Sequence, residues 1–340
     1  MEIKSIKPAG TLIESELELA LWAQRVSIGI ERYLGRALAS YQKAVIAELI
    51  DAGEISTLNK RQFDALIKLA DELGHEYLSR EVQQALDDIA QLSEITVAAE
   101  ALTVARLSKK AIKKIAQPFK LAVQTPIAAT GDLLEPFVDS LTQTAITKME
   151  RELRISLANN RTLGETTAAL RKVAADMSRR DIEAVISTAT QHAFNVCRDA
   201  VYEANNIDKV KCVATLDVRV CMYCAALDGK VVARKDAPKY PLHPRCRCLT
   251  VPEIEGMEAF REGATRSSEE GYVSQSMTAF DYLRKKPMDE LVDAYGPTVA
   301  KAIKGESMTN TKFRNLALDK ALQPISIGDM KKKMEARGLL

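Results

Sequence analysis

Between residues 12 and 52, apolar side chains recur at three- and four-residue steps, from Leu12 through Trp22, Leu34, Leu38, Val45 and Leu49 to Ala52, with charges between them. That period lays one apolar stripe along an α-helix, with a break expected near Gly29 or Gly35. After Gly53 the pattern resumes from Asn59 to Leu73, where Gly74 is the expected helix end. A third run, Leu78 to Ala116, should stop ahead of Pro118, which has no amide proton and crowds the preceding turn. Pro126, Gly131 and Pro136 mark a connector, and helical spacing returns from Phe137 to about Ala158 until Asn159-Asn160-Arg161 interrupts it.

Thr162 and Glu165 stand at capping-box spacing, which predicts a helix from there to about Met177. Ile182, Val185, Ile186, Ala189, Ala193, Val196, Ala200 and Val201 form the stripe of a further helix over Asp181 to Asn205. His192 and Cys197 lie on or beside that stripe and read as packed core residues. Past residue 206 the period shortens: Val210, Cys212 and Ala214 alternate as a strand does, and Leu227-Asp228-Gly229-Lys230 before Val231-Val232 reads as a tight hairpin turn. After Pro252 a polar stretch containing Gly256, Gly263, Ser267, Ser268 and Gly271 reads as linker. Helical patterns follow at about Ser276 to Arg284, Met288 to Lys304, Lys312 to Leu322 and Gly328 to Arg337. The expected fold is mainly α. An elongated helical region over 1–150 precedes an α plus small β-hairpin module over 151–252, closed by a Cys/His cluster, and a linker with a helical tail over 253–340.

Composition agrees with helices, since aromatic residues make up only 5% of the 340 residues. Charge alters the list of partners more than it alters the fold. Lys and Arg number 48 against 46 Asp and Glu, so no general field draws the chain to nucleic acid, and any contact with DNA must be local. The start, MEIKSIKPAG, has no apolar run of signal-peptide length, and no stretch has the roughly 20 apolar residues of a membrane helix. A reducing host cytoplasm is the expected compartment, where cysteines serve as metal ligands or free thiols rather than disulfides.

Four of the six cysteines and one of the three histidines fall between Cys221 and Cys248. Cys221 and Cys224 have two residues between them, as Cys-x2-Cys, and His243 and Cys246 repeat that spacing as His-x2-Cys. Two close pairs presented by two turns are how four soft ligands meet one tetrahedral zinc ion. Cys221, Cys224, His243 and Cys246 are the first set, with Cys248 the alternative fourth ligand, because it lies two residues on and can face the same way on an extended segment. A bland alternative is a packed motif of reduced thiols, or a disulfide formed after a particle leaves the cell. Another is chemistry, either a thiol nucleophile with His243 as its base or a hydrolase using zinc-bound water. Several thiols crowded around one histidine suit a closed structural site better than a single exposed nucleophile.

The string Ala214-Thr215-Leu216-Asp217-x-Arg219-x-Cys221-x-x-Cys224-x-x-Leu227-Asp228-Gly229, closed by His243-Pro244-x-Cys246-Arg247-Cys248, resembles the signature of the phage Mu F-like head morphogenesis family. The resemblance covers roughly Asn159 to Pro252. The tail is also similar, in its aromatic-x-x-Leu-Arg-Lys-x-Pro element at Tyr282 to Pro287 and its Gly296-Pro297-Thr298. The chain departs from the family in having Cys212-Val213 where a tryptophan usually precedes the alanine-threonine pair, and Ile186-Ser187-Thr188-Ala189 where an arginine-threonine-glutamate is common. The resemblance implies a minor head protein of a tailed bacteriophage, without enzymatic activity. Such a protein would sit in the virion near the portal, meet the portal protein and other head proteins, and act in head assembly and in DNA packaging or delivery. An ejection protein that leaves with the genome is the third class to weigh. The amphipathic stripes of residues 1–150 have no motif, and are expected to dock another head protein or a second copy of this chain. Lys109, Lys110, Lys113, Lys114 and Lys120, and Lys331-Lys332-Lys333, could touch packaged DNA, although solvated helix faces are the commoner meaning of such runs. Arg245 and Arg247 are expected to pair with Asp217 or Asp228.

Overall fold

The computed structural model describes residues 12–108, 112–254 and 265–338. The protein is mainly helical, 68% helix and 7% strand, with a small antiparallel sheet, a Cys/His cluster and a helical C-terminal region. Helix α1, Leu12–Ala52, is continuous through both glycines expected to break it. Gly35 serves close approach instead, since a Cβ there would lie 2.9 Å from Ser178 Oγ. Helix α2, Lys60–Ser108, likewise merges two expected segments. It starts at a reciprocal cap, in which Asn59 and Gln62 side chains each accept the other's backbone amide at 3.0 Å.

Gly74 does not end a helix because it lies where three helices meet. An added Cβ would stand 2.3 Å from Ile146 Cγ1 and 3.3 Å from Tyr41 Cζ, so the missing side chain lets α2 approach α1 and helix α4, Leu134–Ala158. Gly74→Ala is therefore expected to destabilise the protein by about 1–3 kcal/mol, despite alanine's better helix propensity. Urea denaturation measures it, and an unchanged or higher midpoint contradicts the packing account.

Helix α3, Pro118–Gln124, has its proline in the first turn, where no amide proton is needed. Lys109 and Lys110 lie outside the described residues. Lys113 and Lys114 do not continue a cationic helix face, because the chain there is irregular and Lys113 N–H donates to Asn205 Oδ1 at 2.9 Å. Helix α5, Leu163–Met177, begins at the capping box expected from Thr162 and Glu165. A π-turn, Ser178–Ile182, joins it to helix α6, Glu183–Ala204. The first apolar core draws on α1, α2, α4, α5 and α6, from Ile30 to Ala193, and so runs across residue 150. Between α2 and α6, Glu100 and Arg198 pair at 2.9 Å with 0% and 1% exposure, and the guanidinium also donates to Tyr202 Oη at 2.9 Å. His192 and Cys197 are buried here, as their positions on the stripe predicted.

Strand β1, Lys209–Val213, is the centre of a three-stranded antiparallel sheet between β2, Val231–Ala233, and β3, Leu249–Pro252. The expected tight hairpin is not how β1 and β2 connect, because helix α7, Met222–Leu227, stands between them. Gly229, at φ 76°, turns α7 into β2. Within the stretch read as linker, residues 255–264 with Gly256 and Gly263 lie outside the described residues. The rest of it forms an antiparallel hairpin, β4, Thr265–Ser268, and β5, Gly271–Ser274.

The tail helices are α8, Ala279–Lys285, α9, Met288–Lys304, α10, Asn310–Ala317, and α11, Ile327–Glu335. They share one buried core with the sheet module, from Cys212 to Met334, which crosses residue 252. Three side-chain bonds join the tail to the elements that carry the cysteines: Tyr223 Oη of α7 donates to Ile325 O of the tail at 2.7 Å, and from the tail Tyr295 Oη donates to Val220 O at 2.5 Å and Arg314 Nε to Ala226 O at 2.7 Å. No helix among the described residues is long and apolar enough to cross a membrane.

Candidate metal centre

Two turns supply the donors. Cys221 precedes α7 as its cap, its Sγ accepting the Cys224 amide at 3.3 Å, and its carbonyl accepts the Ala225 amide at 2.9 Å. Short N–H to sulfur bonds of this kind stabilise negative charge on the thiolate. The second turn closes where Cys246 N–H donates to His243 O at 3.1 Å, with Arg245 in the left-handed region at φ 61°. That conformation costs a non-glycine residue about 1–2 kcal/mol. Contacts with α6 and the π-turn hold it: Arg245 N–H donates to Thr188 Oγ1 at 3.0 Å, Nη2 to Arg180 O at 2.7 Å, and Nε lies 3.6 Å from Glu183.

The donor atoms of Cys221, Cys224 and His243 lie within 4.8 Å of one another, and so do those of Cys224, Cys246 and Cys248. All five residues singled out in the sequence thus come together, with Cys224 common to both groups. Cys224 Sγ is 3.7 Å from His243 Nε2 and 3.9 Å from Cys246 Sγ. His243 Nδ1 lies 2.8 Å from the Pro244 carbonyl, so the nitrogen facing the thiols is Nε2. Cys224, Cys246 and Cys248 are buried, and only Cys221 is partly open.

The electrostatics separate the thiols. Cys221 is pulled down to about 5, first by hydrogen bonding from Cys224 and then by the His243 imidazole, against the opposing effect of burial. Cys246 is held well below the usual thiol range by hydrogen bonds from Cys224 and Cys248. Cys224, which donates to Cys221 and Cys246, is pushed well up. For Cys248 the Cys224 contact lowers the value, but donation to Cys246 and burial outweigh it and the thiol is raised. His243 is raised to about 11 by the Cys221 and Cys246 sulfurs, against burial. Such a set of soft donors, part of it anionic and clear of solvent, could hold a metal ion.

The remaining cysteines are outside the cluster. Burial pushes Cys197 up to about 12 and Cys212 up to about 11, as expected of thiols packed in apolar cores. Arg247 forms a forked pair with Asp217, at 2.6 and 3.1 Å, which ties the second turn to the loop before the first. Arg245 pairs with Glu183 rather than with Asp217 or Asp228, because its left-handed turn aims it at α6.

Sequence reasoning missed the partner of Asp228. That carboxylate is wholly buried and binds Arg266 of β4, at 2.8 and 3.2 Å, together with the Ala214 and Ala279 amides. Its partner lies 38 positions away, on a segment that the sequence read as linker, so no local spacing pointed to it. Compared with protein-family models, with curated proteins and with solved structures, the chain finds no match.

Proposed function

We propose that this chain is a minor head protein of a tailed bacteriophage, of the phage Mu F-like kind, and that its Cys/His cluster holds one structural zinc ion. The observation that carries the reading is that the residues of the resembling string, Ala214 to Gly229 and His243 to Cys248, are the ones that gather the five donors. With zinc–sulfur bonds of about 2.3 Å, the edges of a tetrahedral site are roughly 3.8 Å. The Cys224 to Cys246 separation of 3.9 Å and the Cys224 to His243 separation of 3.7 Å fit those edges. His243 interacts with Cys221, Cys224 and Cys246, so the first ligand set is Cys221, Cys224, His243 and Cys246, with Cys248 in reserve behind them. Zinc there would join two turns and fix the surface between α6 and the tail as a rigid docking face. The role is assembly at or near the portal, without catalysis.

The test is a protein inventory of purified phage particles, with the wild-type gene and with Cys221→Ser or His243→Ala. The wild-type chain is expected in particles at low copy number, and the variants are expected to be lost from them, with infectivity falling in proportion to the missing protein. Particles that incorporate His243→Ala normally yet fail to infect would assign the site to chemistry and overturn the assembly role. The same inventory after genome release shows whether the protein leaves with the DNA.

A further inference from the structure

A cavity of about 360 Å3 lies beside the donor cluster, and nothing in the head-protein reading uses it. Its floor is one face of the sheet. The pairs Lys211↔Val251 and Val213↔Leu249 are directly opposite in register, so their four side chains share that face. Ala20 and Leu21 of α1 form an apolar wall, and Leu21 is still 37% exposed. Arg247, the residue between two donor cysteines, also lines the cavity, with Arg219 and Arg266.

The acids of the lining are already engaged. Asp217 takes both arms of the Arg247 fork and the Arg219 amide, and Glu269 lies 3.7 Å from Lys286 and accepts the Val218 amide at 3.4 Å. Arg266 is matched by the buried Asp228 behind it. Arg219 differs, because its exposed guanidinium has no carboxylate partner among the described residues. A floor of Val213, Leu249 and Val251 with Lys211 at one corner, beside an arginine that has no carboxylate partner among the described residues, recognises a molecule with a hydrocarbon body and one anionic end. A basic or purely polar ligand would find repulsion at the rim or nothing to bind on the floor.

We propose that this cavity binds an aliphatic carboxylate, with its hydrocarbon chain on Val213, Leu249 and Val251 and its carboxylate at Arg219. The proposal is independent of the metal and of the head-protein reading. Titration calorimetry of the full chain with decanoate, and with decylammonium as the oppositely charged probe, tests it. Decanoate is expected to saturate one site that decylammonium does not occupy. Val213→Trp, which fills the floor, should weaken decanoate about tenfold, and Arg219→Glu, on the surface, about fivefold. Should Val213→Trp fail to fold by circular dichroism, Arg219→Glu alone decides. No saturable binding of decanoate, equal binding of decylammonium, or wild-type affinity in Arg219→Glu overturns the proposal.

Discussion

Stripping zinc from the loaded protein is expected to unfold the module around the donors and to lower the melting temperature sharply. Metal that binds only the folded state stabilises it by RT ln(1 + [L]/Kd), about 4 kcal/mol when free zinc is a thousand times Kd. That is a large share of the roughly 5–15 kcal/mol that holds a typical domain together. The loss is greater than a missing contact, because removing the ion leaves the lowered thiols of Cys221 and of the buried Cys246 without the charge that balances them. Native mass spectrometry should find about one metal per chain, and calorimetry before and after chelation should show the transition move down and return when zinc is restored. Cys246→Ser is expected to lose the metal, while Cys248→Ser keeps it, since Cys246 interacts with His243 as well as with Cys224. The opposite pattern would make Cys248 the fourth ligand. A metal-free protein with the melting temperature of the loaded one would remove zinc from the account.

Helices and donors could be read along the chain because both are local signals. The apolar stripe of α1, the Thr162 cap and the pairs at Cys221 and His243 depend on spacings of two to four residues, and the structure has each of them. What escaped depends on partners far away in sequence. Gly74 carries the signal of a helix end, and only Ile146, brought up by α4, shows that it is a point of close approach. Gly229 follows a turn-like string, yet the six residues before Asp228 already form α7, so the turn joins a helix to a strand. The β4–β5 hairpin is too short and polar to alternate visibly, and it is held partly by Arg266 reaching back to Asp228. The cavity is likewise non-local, since β1, β3, α1 and β4 each supply only part of its lining.

Replacing Asp228 should reveal how far the donor module depends on that long-range pair. Each of its two oxygens accepts two bonds: Oδ1 takes the Ala214 amide at 2.7 Å and Arg266 Nη2 at 3.2 Å, and Oδ2 takes the Ala279 amide at 2.7 Å and Arg266 Nη1 at 2.8 Å. Asp228→Asn turns one of those acceptors into a donor facing donors, and leaves the largely buried Arg266 guanidinium without its counter-charge. Breaking one side of a buried pair costs about 3–5 kcal/mol, mostly as the uncompensated charge left behind. The loss should reach the metal as well, because Asp228 N–H donates to Cys224 O at 3.0 Å, and a displaced α7 moves both Cys221 and Cys224. Zinc affinity is therefore expected to fall together with the urea midpoint. Arg266→Met alone strands the carboxylate instead, and the double variant should be less damaged than the sum of the two single changes. Additive losses, or an Asp228→Asn protein that melts and binds zinc as the wild type does, would show that the carboxylate does not organise the site.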